Sequence, residues 1–132
     1  MNIGNHLVSN LISKINYGSK KRLRFIKVNL NNTTLELLEI LYNNGVIRSY
    51  RVEYEDVYIY FKYYLCQIAV KIFIISKPGN RVYWSLNKLS QKYNNHNFSG
   101  FYIISTQKGL CTSDFCLIKG ISGGEILLKV VV

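Results

Sequence analysis

Five consecutive residues, Ser105-Thr106-Gln107-Lys108-Gly109, place two hydroxyls, an amide, an ammonium and a glycine at the end of an apolar run. Hydroxyls donate to phosphate or ribose oxygens and accept from base amines. The lysine adds a point charge, and the glycine lets backbone approach a ligand closely. Gly123-Gly124-Glu125 is a second small-residue corner with one acceptor. Two ordinary polar loops would read the same way, because motifs this short recur by chance.

Covalent chemistry has less to work with. The cysteines are Cys66, Cys111 and Cys116, and the histidines are His6 and His96. Cys111 and Cys116 are not spaced C-x₂-C, whereas zinc wants four ligands in tight local pairs. Three reduced, mostly buried thiols are expected, with no metal and no disulfide. Cys111 with His96 is the one nucleophilic couple on offer, and nothing local activates the thiol. The seven acids are scattered, and neither G-x-x-x-x-G-K-[ST] nor G-x-G-x-x-G occurs. No catalytic residue, cofactor or small-molecule substrate is therefore expected.

Charge points to a polyanion. Lys and Arg number 17 against 7 Asp and Glu, for a net charge of +10, and such a surface attracts nucleic acid. Part of this balance is compositional. The 132 residues hold 16 Ile, 14 Asn, 12 Lys and 11 Tyr but one Ala and one Pro, the bias of an A+T-rich coding sequence. That bias suits an organellar genome or an A+T-rich bacterium. The apolar run Ile68 to Ile75 is broken by Lys71 and is far short of a membrane span. The N-terminal MNIGNHLVSN has neither the basic region of a signal peptide nor the arginines of a transit peptide. The expectation is a protein made in the compartment where it works.

The elements that must position these groups alternate between helix and strand. Leu7, Val8, Leu11, Ile12 and Ile15 form one apolar helix face, with a stop at Gly18. The opposite face carries Asn10, Ser13, Lys14 and Tyr17, and simple solvation would account for it. Lys20, Lys21, Arg22 and Arg24 follow, then a strand from Phe25 to Leu30. Thr33 and Glu36 suit a capping box for a helix that ends at Gly45. Ile47 to Tyr54 alternates, Glu55-Asp56 reads as a hairpin tip, and Val57, Ile59, Phe61 and Tyr63 form the inner face of the returning strand.

A second unit starts near Cys66. Ile68, Val70, Ile72 and Ile74 alternate as one strand, and Ser76-Lys77-Pro78-Gly79 is a turn. Arg81 to Ser85 is read as a strand with Arg81 and Tyr83 on one face, presenting a charge and a stacking ring. Leu86, Leu89 and Tyr93 suggest a short helix, the loop NNHN follows, and Phe101 to Thr106 is a strand. Thr112 caps a short helix that ends at Gly120, and Ile126 to Val132 is a final strand. The fold expected is α+β with two small domains: an N-terminal α-β-α-β-β unit, residues 1–66, and a mostly β unit with short helices, residues 67–132.

The segment STQKGLCT…GISGGEI closely resembles the C-terminal signature of the bacterial-type small-subunit ribosomal protein eight family. That signature is Ser-Thr-Ser-Lys-Gly, then Thr after two residues, then Gly-Gly-Glu, and Gln107 stands here for its second Ser. Ser76 to Tyr83 resembles the family's Ser-Arg-Pro-Gly-x-Arg-x-Tyr. Leu37 to Tyr50 resembles its helix ending in Glu-Gly-Phe-Ile. Leu11 to Gly18 resembles its first helix, with Ser13 and Lys14 in the Thr and Arg places and Asn16 and Tyr17 departing from the pattern. The four motifs are collinear along nearly the whole chain.

The resemblance implies a two-domain ribosomal protein that binds the central domain of small-subunit ribosomal RNA, mostly through its C-terminal domain, beside neighbouring small-subunit proteins. Ser105, Thr106, Gln107, Lys108, Gly109, Thr112, Gly123, Gly124 and Glu125 would then meet the distorted RNA core, with Arg81 and Tyr83 beside them. Asn10, Ser13, Lys14, Lys20, Lys21 and Arg22 would hold a neighbouring RNA segment by charge. The composition, with the missing leader, suggests a mitochondrially encoded member, with a plastid or bacterial origin open. Two other readings stay open: an extra-ribosomal RNA-binding regulator, and a protein-interaction module built on the Tyr-rich strands.

Overall fold

The computed structural model describes residues 2–64, 67–68, 71–77, 79–93, 100–121 and 124–131. Two compact units divide between Lys71 and Ile72, five residues beyond the boundary placed after residue 66, which itself lies outside the described residues.

The first unit opens with α1, Asn2–Lys20. Val8, Leu11, Ile12 and Ile15 are buried along one stripe, at the spacing that puts them on one helix face. Gly18 does not stop this helix. It is buried within it, and a Cβ there would lie 2.7 Å from Ile26 Cγ2 and 2.7 Å from the Phe61 ring. The glycine permits close approach of helix to sheet. The stop is Arg22, in the left-handed region at φ 58°. The Leu23 amide donates to Gly18 O at 3.0 Å and the Arg22 amide to Ser19 O at 3.1 Å, a Schellman motif.

Strand β1, Phe25–Asn29, leads to α2, Asn32–Asn43. Its N-cap is Asn31 rather than the expected Thr33, because Asn31 Oδ1 accepts from the Thr34 amide at 2.8 Å. Asn caps at least as well as Thr, and it comes first along the chain. The C-terminus repeats the Schellman pattern with Gly45 at φ 74°. The strands β2, Ser49–Glu53, and β3, Asp56–Tyr60, form a hairpin whose tip is Tyr54-Glu55, one residue earlier than read from sequence. The sheet order is β1-β3-β2, both pairs antiparallel. Val57, Ile59 and Phe61 turn inward with Leu37, Leu38 and Leu41 of α2. Two short strands, β4 at Tyr63–Tyr64 and β5 at Gln67–Ile68, pair with each other.

The alternating segment from Ile68 to Ile74 is not one strand. Ile68 belongs to β5, and β6 is Lys71–Ile74 in a different sheet. Gly79 has the expected turn conformation at φ 85°, while Pro78 lies outside the described residues. Arg81 to Ser85 forms no regular strand. It makes one antiparallel bridge, Tyr83 to Glu125, although its alternation is real: Val82 and Trp84 pack on the core. Then come α3, Leu86–Tyr93; β7, Gly100–Thr106; β8, Gly109–Thr112; α4, Ser113–Lys119; and β9, Glu125–Val131. The NNHN loop is outside the described residues. The strand β8 carries no local signal, since Gly109 to Thr112 is short and lies directly between a polar turn and a helix cap.

The second sheet has the order β6-β9-β7-β8. Between Ile103 and Ile104 the register slips, so that Leu127 has no opposite number on β7; such a bulge increases local twist. Leu89, Tyr102, Ile104, Cys111, Cys116 and Ile126 form a core cluster with α3 and α4, roofed by Trp84 edge-on to Tyr102 at 5.1 Å. Helix α4 begins and ends as its sequence predicts. Thr112 caps it by accepting from the Phe115 amide at 3.4 Å, and Gly120 closes it at φ 70°.

Candidate nucleic-acid interface

In the second unit the candidate residues are built into the sheet. Register pairs Ser105 with Glu125 on one side and with Leu110 on the other, and Glu125 bridges to Tyr83. Tyr83, Glu125, Ser105 and Leu110 thus form one row across the sheet. Ser105 and Glu125 are buried, while Tyr83 is 60% exposed. Paired residues on adjacent strands share a face, and alternation puts this row on the face opposite Ile104 and Ile126.

A serine holds the row's outer member. Ser76, itself buried, donates from Oγ to Ile126 O at 2.5 Å and accepts from the Val82 amide at 3.0 Å. The Ile126 amide donates back to Val82 O at 2.9 Å. The segment carrying Arg81 and Tyr83 is thereby fixed beside Glu125, without a regular strand. Gly124 fits against β7: a Cβ there would lie 2.5 Å from Ile104 Cγ2 and 3.1 Å from Ser105 O. Gly123 lies outside the described residues.

The five-residue motif is a hairpin, not a loop. Ser105 and Thr106 end β7, Gly109 begins β8, and the exposed Gln107 and Lys108 form the two-residue turn. Gly109 sits at φ 102°, a conformation that favours glycine. The Thr106 hydroxyl donates to Gly109 O at 2.9 Å and accepts from the Lys108 amide at 3.2 Å. It also lies 3.6 Å from Cys111 Sγ. That hydroxyl shapes the turn, and Gln107 and Lys108 are what the turn presents. Thr112 likewise spends its hydroxyl on the α4 cap.

Both described thiols are structural in character. Burial, reinforced by the neighbouring Cys111, raises the Cys116 thiol to about 11, so it stays protonated at neutral pH. Cys66 and His96 fall outside the described residues. Among the described residues no three potential ligands gather at a metal site, and no helix is long and apolar enough to cross a membrane.

In the first unit the candidates are on the surface. Asn10, Ser13 and Lys14 are exposed on α1. Asn10 and Lys14 line a shallow cavity of about 100 Å³ with Asn29, Asn31 and Thr34. Lys20, Lys21, Arg22 and Arg24 are exposed and surround the helix stop. The two ion pairs found among the described residues, Lys27–Asp56 at 3.3 Å and Arg51–Glu53 at 3.1 Å, leave that cluster without an acid partner.

Arg48 and Lys62 carry no sequence signal of a site. Separated by the β2–β3 hairpin, they line one cavity with Tyr42, Gly45, Ile47, Phe61 and Tyr63. No local charge run marks them; only strand pairing brings them together.

Comparison with known proteins gives a consistent result. Residues 6–131 match the family model described as ribosomal protein S8. The small ribosomal subunit protein uS8m of Acanthamoeba castellanii is 36% identical over 126 residues, covering 94% of this chain and 98% of that protein. The uS8 proteins of Rhodospirillum centenum, 31% identical over 136 residues, and of Anaplasma phagocytophilum, 29% identical over 130 residues, are similar over 98% and 93% of this chain and 99% and 95% of their own lengths.

Proposed function

This chain belongs to the ribosomal protein S8 family, and we propose that it is a structural component of a mitochondrial small ribosomal subunit, seated there by binding the central domain of the subunit's RNA. The observation that carries this reading is the extent of the family match, which runs from residue 6 to residue 131 and so includes both units. The likeness to a mitochondrial relative and the A+T-biased composition support the organelle. Its partners are the RNA and adjacent small-subunit proteins, and no residue has a catalytic role.

Physically, A-form RNA hides its base edges in a deep, narrow groove. Proteins read its minor-groove shape, its 2′-hydroxyls and its unstacked bases. One end of the sheet, where Thr106, Gly109 and Gly124 are small or hydroxyl-bearing, suits that task, because its backbone reaches a shallow groove without long side chains in the way. The turn at Gln107-Lys108, the exposed Tyr83 and the nearby Arg81 supply an amide, a charge, a ring and a second charge on one fixed frame. The α1 face and the Lys20–Arg24 cluster add charge without a rigid pattern.

The test is ribonuclease-sensitive co-sedimentation with small subunits, alongside filter binding to a central-domain RNA fragment. Neutralising about five phosphates gives a log K against log salt slope of magnitude about 4–5, using the duplex-DNA coefficient. Ribonuclease-resistant sedimentation with a flat salt response would replace this reading with a protein-interaction module. Tight RNA binding without sedimentation would point to an extra-ribosomal regulator.

A further inference from the structure

The cavity bounded by Tyr42, Gly45, Ile47, Arg48, Phe61, Lys62 and Tyr63 encloses about 560 Å³, within the roughly 300–1,000 Å³ of small-molecule sites. We propose that it receives one unstacked nucleotide of the bound RNA, with its phosphate on Arg48 and Lys62 and its base against the tyrosine rings. This rests on the RNA-binding reading above and adds a second, distinct contact in the first unit.

Four features point the same way. The lining holds two cations, three aromatic rings and no acid, so an anion entering it meets no repulsion. Neither Arg48 nor Lys62 is in an ion pair among the described residues. Both side chains are exposed and free to turn toward a phosphate. The rings, in contrast, are held. Tyr42 meets Tyr50 edge-on at 6.1 Å, and Phe61 meets Tyr63 at 6.2 Å. The Tyr63 hydroxyl donates to Leu23 O at 2.5 Å. Half of Tyr42 remains exposed, a π-face with room for a base.

The same hydrogen bond gives the cavity its context. Leu23 lies inside the Lys20–Arg24 cluster, and Arg22 is near enough for its charge to act on the Tyr63 hydroxyl. An RNA strand drawn to that cluster by charge would lie beside Tyr63, one of the residues that line the cavity. Gly45, exposed and in the left-handed region, lines the cavity without a side chain, and the Lys62 ammonium stands 3.7 Å from where a Cβ would be. Cations beside rings are the combination that single-stranded RNA sites use, charge for backbone and π-face for base.

The experiment uses the full, isotope-labelled chain and three probes: uridine 5′-monophosphate, uridine and inorganic phosphate. The expected result is that the monophosphate shifts the NMR signals of the Gly45 amide and of the Tyr42 and Tyr63 rings more than either half-ligand does. Arg48→Gln with Lys62→Gln should weaken it about tenfold or more. In filter binding the same variant should lower the salt slope for the RNA fragment by about 1–2. Tyr42→Ala should weaken the fragment with the slope unchanged. No shift at Gly45 with millimolar monophosphate overturns the site. A shift at Gly45 with unchanged fragment affinity in both variants overturns its assignment to RNA. Should wild type itself fail to bind the fragment, the ribosomal reading falls, whatever the mononucleotide does.

Discussion

On the proposed RNA-binding reading, the two units offer RNA different kinds of surface. In the first, Lys14, Lys20, Lys21, Arg22 and Arg24 stand exposed on long stems, with Lys21 resting 5.9 Å over the Tyr17 ring and none of them in an ion pair among the described residues. In the second, Ser105 and Glu125 are buried between strands, Thr106 is committed to the turn, and the segment of Tyr83 is tied down by Ser76. Mobile charges give affinity to any phosphate backbone, whereas fixed hydrogen-bonding groups distinguish one shape from another. The sheet pays its ordering entropy on folding, and the basic cluster leaves its own until binding. Stability and selectivity should therefore fail together in the second unit and separately in the first.

Ser76→Ala should show the largest effect. It removes the donor to Ile126 O and the acceptor for the Val82 amide, at about 1–3 kcal/mol for each group left unpaired. Urea denaturation should register a total loss of about 2–6 kcal/mol, and selectivity for the RNA fragment should drop with it. Lys14→Ala, on the exposed α1 face, is the control and should stay within about 0.5 kcal/mol. Equal losses in the two variants would erase the contrast.

Next come Ser105→Ala and Thr106→Ala together. If this hairpin reads the RNA, the double variant loses its preference for the central-domain fragment over an unrelated duplex, at about 1–3 kcal/mol per unpaired group. Thr106→Ser separates two causes. It keeps the hydroxyl that bridges Gly109 O and the Lys108 amide, so it should restore the turn and most of the preference. A double Ala variant as selective as wild type would remove this hairpin from the recognition surface.

Neutralising Lys20, Lys21 and Arg22 to Gln should weaken both RNAs alike and lower the salt slope by about 2–3. Stability should hardly change, since all three side chains are exposed. A loss confined to the fragment would make this cluster part of the selective surface.

Alkaline pH should reach the second unit with a smaller effect. The hydrogen bond to Asp114, helped by burial, raises the Tyr93 hydroxyl from 10.0 to about 12, and burial raises Cys116 from 9.0 to about 11. Both folded values exceed the unfolded ones, so the unfolded chain loses these protons first. Stability is complete below pH 9.0 and falls between there and about pH 12. Urea midpoints across this range check it, and Tyr93→Phe with Cys116→Ala should flatten the decline. Smallest of all, chelator or reductant should leave the thermal midpoint unchanged. A large drop with chelator would revive a site at Cys111, Cys116 and His96.

What the sequence made legible was local. Thr112 and Gly120 bound α4 within nine residues, and both roles can be read from neighbours alone. The buried stripe of α1 and the inward set Val57, Ile59 and Phe61 follow from periodicity. The end of α1 is not legible at Gly18, because what Gly18 does depends on a distant partner and the actual stop at Arg22 depends on backbone conformation. Glycine at a helix end usually marks the stop, yet this one is needed for approach to Ile26 and Phe61. Arginine at φ 58° carries no local signal at all. The site divides the same way. Types and spacing pick out Ser105 to Gly109, but not that Ser105 sits in a row with Glu125 and Tyr83, which is fixed by strand pairing across twenty residues or more. Nor can they show Thr106 turned inward to Gly109 O.

The position of β9 sets a timetable. It lies between β6 and β7 in the second sheet, so that sheet has no centre until residues 125–131 have been made. The first sheet, by contrast, closes once residue 60 is available. At roughly 5–20 residues per second of synthesis, the exposed cations of the first unit precede the completed sheet by roughly 4–14 seconds. If the two units divide affinity and selectivity as proposed, a growing chain acquires its general attraction for RNA before it can discriminate. On that division, a nascent copy emerging near ribosomal RNA would spend that interval holding on without reading.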